Sequence, residues 1–374
     1  MSDYSPHPNP SRSTPVGRPV GEGSAQPLFE VTRGRIVESV HYGSIAVVDS
    51  NGKLISSHGD PNAVAFLRSS AKPFQAIPFV EHGGAEHFGF NQAELSISCA
   101  SHEGSDLHVQ AVEAMQKKIG LEEDQLQCGT HMPGDTDAFK SLVTNAQQPG
   151  PNRNNCSGKH TAMLAHAKMR GLSLEDYLDI NHPIQQDILA CFADLCQVPV
   201  NEIELGIDGC SAPNFAIPLY HAALGFARLC DPRELSETRA AACRKITTAM
   251  TVHPEMVSGY GEFDEQLMRV GEGRIVCKRG AEGYQIIGLL PGTFGPDSPG
   301  VGIALKVLDG DASSMGSDLT SSNRVRPAVA LEILRQLGAI SSKQEQALAE
   351  FGPGKPVRNL RGIVTGQSHP VFEL

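Results

Sequence analysis

The apolar residues of this chain follow two periodic patterns, which predict strands near its ends and helices in its middle. Residues 36–49 alternate apolar and polar positions and are rich in β-branched residues, which favours a strand. Asn51-Gly52 then gives a turn signal before residues 53–56. This pattern predicts an antiparallel hairpin at the start of the folded part, which we expect to begin near Phe29.

Helical spacing of apolar residues dominates the middle of the chain, and short apolar runs return towards the C-terminus. The predicted helices span residues 106–121, 159–170, 174–195, 212–227, 232–250, 328–337 and 342–351. The predicted strands after the hairpin span residues 95–100, 203–207, 274–278, 284–290 and 301–307. Strands first, helices in the middle and strands last indicate an α+β fold, an antiparallel sheet with a helical block. We expect one catalytic domain over residues 28–374, with its sheet in residues 28–100 and 255–374 and its helical block in residues 104–250.

The first residues of the chain lack the apolar side chains that a core needs. They are rich in Ser, Pro and Gly, so they cannot bury enough surface to offset the entropy of ordering. We therefore predict a disordered arm over residues 1–27. A transit peptide fits less well, because Asp3 and Glu22 are acidic and arginines are few.

Composition excludes several classes of function. The net charge of -11 argues against nucleic acid or an anionic membrane surface as a partner. No apolar stretch approaches the ~18 residues of a spanning helix, and the N-terminus lacks an apolar signal core. Nine cysteines, an odd number without a secretion signal, favour reduced thiols and a cytoplasmic setting.

A serine and a lysine three positions apart, Ser69 and Lys72, are the first candidates for chemistry. Serine needs a base to act as a nucleophile, and a lysine three residues on can lie on the same helical face. Pro73 places both near a helix start, since proline is tolerated only in the first turn. Ser-x-x-Lys is the active-site signature of penicillin-recognising hydrolases. The alternative is a helix cap followed by a solvated lysine.

Three further segments put reactive side chains at strand ends or turns. Ser101 could position a substrate or pass a proton, or it could be a helix N-cap. Cys156 and Lys159 repeat the three-residue spacing before a helix, where a thiolate suits a nucleophile or a soft metal ligand; the alternative is an incidental cysteine. The carboxylate of Asp208 could bind an α-amino group and Cys210 could join Cys156 on a zinc ion, or the segment could be a simple turn.

A last motif, Lys278-Arg279-Gly280, ends a late strand and is similar to the Lys-Thr-Gly element of the penicillin-recognising enzymes. This motif supports a functional prediction because it follows Ser-x-x-Lys and Ser101 in the order found in those enzymes. Together these elements predict a serine/lysine acyl hydrolase.

Six short runs, in order along the chain, carry a family resemblance. They are Arg68-Ser69-Ser70-Ala71-Lys72-Pro73, Cys99-Ala100-Ser101-His102, Cys128-Gly129-Thr130-His131, Asn155-Cys156-Ser157-Gly158-Lys159-His160, Gly206-Ile207-Asp208-Gly209-Cys210 and Lys278-Arg279-Gly280-Ala281-Glu282-Gly283. The runs resemble the asparaginase II family, the class 3 or Rhizobium etli type of L-asparaginase. The resemblance begins near Val37 and reaches the C-terminus. Relative to the family pattern, residues 312–323 resemble an insertion.

This resemblance implies a serine β-lactamase/glutaminase-like fold, a homodimer, a zinc ion and the hydrolysis of L-asparagine to L-aspartate and ammonia. The residues that it implies are, for catalysis, Ser69 with Lys72 and Ser101 with Lys278; for zinc, Cys156, Lys159 and Cys210; and for substrate binding, Arg68, Asp208 and His160. We expect Lys72, held neutral by burial and by Lys278, to take the proton of Ser69 as that serine attacks the amide carbon. The roles of the two serines could be exchanged.

Three other functions stay open at this point. Gly134-Asp135-Thr136-Asp137 faintly resembles the Thr-Asp element of asparaginases that use threonine nucleophiles, but the glycine- and threonine-rich N-terminal turn of that class is missing. The same fold could act on glutamine, a β-lactam or another amide. Cys156 and Cys210 could instead build a non-catalytic zinc or redox-sensing protein.

Overall fold

The structure is a computed structural model that describes residues 25–311 and 324–374. Most of the predicted arm and the predicted insertion at residues 312–323 lie outside the described residues. Residues 26 and 27, which the sequence assigned to the arm, belong to the first strand instead.

Within the described residues, the β-structure consists of one antiparallel sheet of eight strands and a second sheet of three strands. The strands are β1 (Gln26–Arg33), β2 (Ile36–Asp49), β3 (Leu54–His58), β4 (Val64–Phe66), β5 (Glu204–Ile207), β6 (Pro213–Pro218), β7 (Ile275–Gly280), β8 (Tyr284–Leu289), β9 (Val301–Val307), β10 (Lys355–Arg358) and β11 (Val364–Pro370). The large sheet has the order β10-β11-β1-β2-β9-β8-β7, with β3 beside β2, and the small sheet has the order β4-β6-β5. The two ends of the chain therefore meet in one sheet, through the antiparallel pairing of β1 with β11.

Thirteen helices are found among the described residues. They are α1 (Lys72–Glu81), α2 (Gly84–Phe88), α3 (Gln92–Ser98), α4 (Asp106–Ile119), α5 (Thr136–Thr144), α6 (Ser157–Met169), α7 (Pro183–Cys196), α8 (Leu219–Cys230), α9 (Glu237–Val252), α10 (Pro254–Val257), α11 (Phe263–Val270), α12 (Arg326–Gln336) and α13 (Ser342–Ala347). A 3-10 turn, Arg68–Ala71, leads into α1. Helix α1 packs against α6, α7 and α9 in the helical block, and α8 packs on β2, β8 and β9. The predicted α+β architecture, an antiparallel sheet with a helical block, is confirmed.

The predicted strand at residues 95–100 is wrong, because this segment is the end of α3 and a short loop. A short apolar run does not distinguish a buried strand from a buried helix. The decisive signal lies upstream: Asn91 caps the helix by accepting a hydrogen bond from the Glu94 N–H, and the Glu94 side chain accepts one from the Asn91 N–H. Helices thus occupy much of the segment between residues 68 and 98 that we had assigned to the sheet part.

Prolines explain two other differences from the predicted helices. Residues 174–195 become helical only from Pro183, which occupies the first helical position. Residues 212–227 begin as strand β6, and Pro218 ends that strand and stands before α8. The predicted strand at residues 203–207 is present as β5, but it pairs in the small sheet.

Helix α8 rests on the large sheet through a pair of glycines. Gly288 on β8 and Gly302 on β9 are opposite each other in the sheet. A Cβ atom on Gly302 would lie 1.8 Å from the carbonyl oxygen of Ala223, and one on Gly288 would lie 2.3 Å from Cys230 Sγ. The absence of side chains at these two positions therefore sets how closely the helical block meets the sheet.

No helix within the described residues combines the length and the apolar character that crossing a bilayer requires.

Replacing Gly302 with alanine should lower the free energy of unfolding by about 2 kcal/mol, because the added methyl group forces α8 away from β9. Urea denaturation of the full chain measures this effect. Gly354→Ala is the matched control, since a Cβ there would be 3.8 Å from its nearest neighbour. Equal stability of the two variants would show that α8 does not depend on the close contact at Gly302.

Candidate active site

Two buried lysine side chains converge on one serine hydroxyl. The Nζ atoms of Lys72 and Lys278 each lie 2.9 Å from Ser101 Oγ. Lys72 begins helix α1, Lys278 lies on strand β7, and Ser101 lies in the loop after α3. The exposed fractions of the three residues are 1%, 0% and 4%, respectively. The helical block and the large sheet each contribute one amine to the same oxygen.

The loop around Ser101 is fixed on both sides. The Ser101 N–H donates to Val257 O at 2.9 Å, and Arg279 Nη2 donates to Ser101 O at 3.3 Å. The next residue, His102, is held by its Nε2 contact with Ser157 Oγ at 2.9 Å. These bonds restrict the Ser101 hydroxyl to the space between the two amines.

Ser69 occupies a different position from Ser101. It lies in the turn before α1, is half-buried, and its hydroxyl makes no hydrogen bond within the described part of the chain. The predicted pair Ser101–Lys278 is thus in contact, whereas the Ser69 hydroxyl is not hydrogen-bonded to Lys72. Catalytic hydrogen bonds are often long before substrate binds. The neighbouring Ser70 donates to Lys278 O at 2.9 Å, which ties the Ser69 turn to β7.

The two lysines differ in their electrostatic surroundings. Burial, followed by the charge of Lys72, lowers the pKa of Lys278 well below its ordinary value. This shift favours the neutral form of the Lys278 amine, which lies on the sheet. That Lys72 is neutral stays a prediction.

Asp264 is a further residue beside Lys278, and the sequence analysis did not identify it. Its carboxylate is 1% exposed, accepts a hydrogen bond from Gln285 Nε2 at 3.1 Å, and counteracts burial by raising the pKa of Lys278. Burial would raise the pKa of Asp264, but the charged form of Lys278, together with Arg326 and Arg279, outweighs burial and lowers it. A single aspartate in the first turn of α11 has the sequence signature of an ordinary helix start, so no sequence signal pointed to this role.

An accessible ion pair lies beside Ser69. Arg68 Nε donates to Asp208 Oδ1 at 2.7 Å, and the two side chains are 28% and 11% exposed. Arg68 has a φ of 51°, in the left-handed region where a long side chain is rare. Strain of this kind persists where the surrounding structure enforces it, and it clusters at functional sites. The two predicted substrate-binding residues are thus held next to the predicted nucleophile.

The predicted metal ligands also come together. Lys159 Nζ lies 3.0 Å from Cys210 Sγ, and the Cys156 and Cys210 thiols are close enough to shift each other's pKa. The Cys156 contact and the Lys159 charge outweigh burial and lower the pKa of Cys210, whereas the Cys210 contact and burial raise that of Cys156. Burial alone would lower the pKa of Lys159, but the two sulfurs raise it. The lowered pKa of Cys210 and the raised pKa of Lys159 favour a thiolate beside an ammonium group.

His160, the third predicted substrate-binding residue, lies against this cluster. Its Nδ1 contacts the Tyr177 hydroxyl at 2.7 Å, and its buried Nε2 has no hydrogen-bond partner within the described residues. Burial and then Lys159 lower the pKa of His160 to about 4. Two sulfurs, an amine and an unpartnered imidazole nitrogen form a donor set that suits a soft divalent ion such as zinc.

Asn155 joins the two centres. Its carbonyl oxygen accepts a hydrogen bond from Lys72 Nζ at 3.2 Å, and its side-chain oxygen accepts one from Cys156 Sγ at 3.1 Å. The site therefore combines a serine hydroxyl between two lysine amines, an arginine–aspartate ion pair and a thiol cluster. This combination suits acyl transfer on a small zwitterionic substrate.

Comparison with known proteins gives one family match. The model of the family described as L-asparaginase II matches residues 29–370. A search of curated proteins found no match.

Solved structures similar to this one include glutaminases. A probable glutaminase from Bacillus subtilis complexed with 6-diazo-5-oxo-L-norleucine is 14% identical, with a TM-score of 0.35, and the match covers 79% of this chain and 84% of that one. Another structure of a probable Bacillus subtilis glutaminase is 12% identical, with a TM-score of 0.36 and coverages of 79% and 88%.

Proposed function

Since the chain belongs to the L-asparaginase II family, we propose that it hydrolyses the side-chain amide of L-asparagine to L-aspartate and ammonia. Family membership supports the broader class, an amidohydrolase. The observation that carries the proposal is the position of Ser101 Oγ, 2.9 Å from the amines of two buried lysines, one of which, Lys278, accepts a hydrogen bond at its carbonyl from Ser70 in the Ser69 turn.

Accessibility favours Ser69 as the nucleophile over Ser101. A nucleophile must reach the amide carbon, and Ser69 is half-buried with a free hydroxyl among the described residues. Ser101 is 4% exposed, and its oxygen already contacts both amines. A hydroxyl has one proton to donate and two lone pairs, so Ser101 can accept a proton from one lysine while it donates its own to the other.

This arrangement provides a base for Ser69. A proton passes from Lys72 to Ser101 Oγ while the Ser101 proton passes to the neutral amine of Lys278, which leaves Lys72 neutral. Lys72 then takes the Ser69 proton as Ser69 Oγ bonds to the amide carbon. Backbone N–H groups at the start of the helix stabilise the oxyanion, at roughly 3 kcal/mol per donor.

The reverse transfer completes the reaction. A proton returns from Lys278 through Ser101 to the amide nitrogen, the carbon–nitrogen bond breaks and ammonia leaves, so that Ser69 holds a β-aspartyl ester and Lys72 still carries the Ser69 proton. The relay through Ser101 then moves a proton from Lys72 to Lys278 again, and neutral Lys72 removes a proton from water. The resulting hydroxide attacks the ester, L-aspartate leaves as Ser69 takes the proton from Lys72, and the relay runs back to its starting state. No net proton is gained or lost by the residues of the site.

The Arg68–Asp208 pair supports an amino-acid substrate. An α-carboxylate can replace Asp208 beside the guanidinium, and an α-ammonium group can replace Arg68 beside the carboxylate. Both groups lie next to Ser69, which fits a short side chain between the zwitterionic backbone and the amide.

We further propose that Cys156, Lys159 and Cys210 hold a zinc ion, with His160 beside them. When bound, such an ion would supply positive charge that keeps both thiolates deprotonated and favours neutral Lys159. The homodimer implied by the family resemblance stays a prediction.

Ammonia release tests the proposed function. The purified protein should release ammonia from L-asparagine with a kcat/KM well above that for L-glutamine, and it should not hydrolyse a chromogenic β-lactam.

Ser69→Ala should lower kcat by roughly 10³-fold or more, because it removes the nucleophile. Ser342→Ala, an exposed serine on α13, is the control and should keep full activity.

Full activity of Ser69→Ala would overturn the assignment of the nucleophile. A preference for L-glutamine would change the substrate but keep the reaction class. Bound zinc without hydrolysis of any amide would favour a non-catalytic metal protein. Repeating the assay with a chelator separates a need for metal from the serine chemistry.

The pH dependence should follow Lys278. Burial and the charge of Lys72 lower the pKa of Lys278, so kcat/KM should fall as the pH drops through that lowered pKa and the amine gains a proton. Asp264 raises the pKa of Lys278, and Asp264→Asn should therefore move the acid limb of the pH profile to lower pH. Asp231→Asn, at another buried carboxylate, is the control and should leave the limb unchanged. An acid limb that stays in place or moves to higher pH in Asp264→Asn would contradict this account.

A further inference from the structure

Two histidines and an aspartate meet within the helical block. His82 Nδ1 lies 2.8 Å from His166 Nε2, and a carboxylate oxygen of Asp187 completes a group whose ligand atoms all lie within 4.8 Å of one another. His82 is exposed, Asp187 is half-buried and His166 is buried. These residues are separate from the thiol cluster and take no part in the proposed reaction.

Two of the ligands lie on helices and the third lies directly after a third helix. His82 follows the last residue of α1, His166 lies in the last turn of α6, and Asp187 lies in the first half of α7. Helices fix the positions of their side chains more firmly than loops do, which suits a coordination site. The exposure of His82 leaves a path by which an ion can enter from solvent.

The donor set suits a first-row transition metal. Two imidazoles and one carboxylate favour zinc, iron, cobalt or nickel over calcium or magnesium. Two nitrogens 2.8 Å apart, each about 2.1 Å from one ion, subtend an angle of about 84°. An opening of about 0.2 Å brings that angle to 90°, the value of octahedral coordination.

The present contacts are compatible with an ion. Without metal, one of the two facing nitrogens must carry the shared proton; with metal, the proton of His82 can move to its other nitrogen, because the ring is exposed. Asp187 Oδ2 is hydrogen-bonded to Arg170 Nη1. A carboxylate has two oxygens, so Asp187 can keep Arg170 on one and place the other on the ion.

We propose that His82, His166 and Asp187 bind a divalent first-row transition metal ion that clasps helices α1, α6 and α7 together. His82 lies ten residues after Lys72 along α1, and His166 lies seven residues after Lys159 along α6, or ~15 and ~10 Å of helix. A small cavity between these helices is lined by both Lys159 and His166. The ion would therefore hold together the two helices that present Lys72 and Lys159.

Cobalt(II) binding to the metal-free full chain tests this site. Equilibrium dialysis with metal analysis should find one cobalt ion fewer per chain in His82→Ala than in the wild type. His87→Ala is the matched control: it removes an exposed histidine outside the cluster and should bind the wild-type number. Because all three proteins keep Cys156 and Cys210, the intense thiolate–cobalt absorption should be the same in each.

Thermal unfolding gives a second measurement on the same proteins. Cobalt should raise the midpoint less in His82→Ala than in His87→Ala, because one stabilising ion is lost. Asp187→Asn should weaken the histidine-linked site at least tenfold while leaving thiolate absorption intact. Equal cobalt binding and equal midpoint shifts in His82→Ala and His87→Ala would overturn the proposal.

Discussion

The burial of two lysine amines against one hydroxyl is the constraint on which the rest of this site depends. The Lys72 and Lys278 nitrogens share Ser101 Oγ at 2.9 Å each, so they are at most about 5.8 Å apart. Two full charges at that distance repel by about 3 kcal/mol at an effective dielectric constant of about 20, and burial adds a further penalty. The pair therefore favours a single proton, which Ser101 can pass between the amines.

The fold brings the two lysines and the serine together from three different elements. The helical block delivers Lys72 at the start of α1, the large sheet delivers Lys278 on β7, and the loop after α3 inserts Ser101 between them. Gly280 lets the end of β7 approach the turn, since a Cβ there would lie 2.5 Å from Leu67 O. A shift between the sheet and the helical block would separate the amines, which makes the packing of these two layers part of the chemistry.

The sequence predicted which residues form the site better than it predicted how these residues shift one another's pKa. Pro73 correctly placed Lys72 at a helix start, and the strand at Lys278 was identified from its apolar pattern. Neither signal could indicate that the pKa of Lys278 is lowered, because that depends on its burial beside Lys72, which only the tertiary structure fixes. The short apolar run before Ser101 was misread as a strand for a related reason: its conformation is fixed by the Asn91 cap and not by the run itself.

Identification of the serine that carries the acyl group tests the central claim most directly. A diazoketone analogue of L-asparagine, incubated with the wild-type protein, should leave one covalent adduct per chain, located by peptide mass spectrometry. Our account predicts the adduct on Ser69, the accessible hydroxyl, with Ser101 unmodified. An adduct on Ser101, or labelling that does not distinguish the two serines, would contradict the division of roles between nucleophile and proton relay.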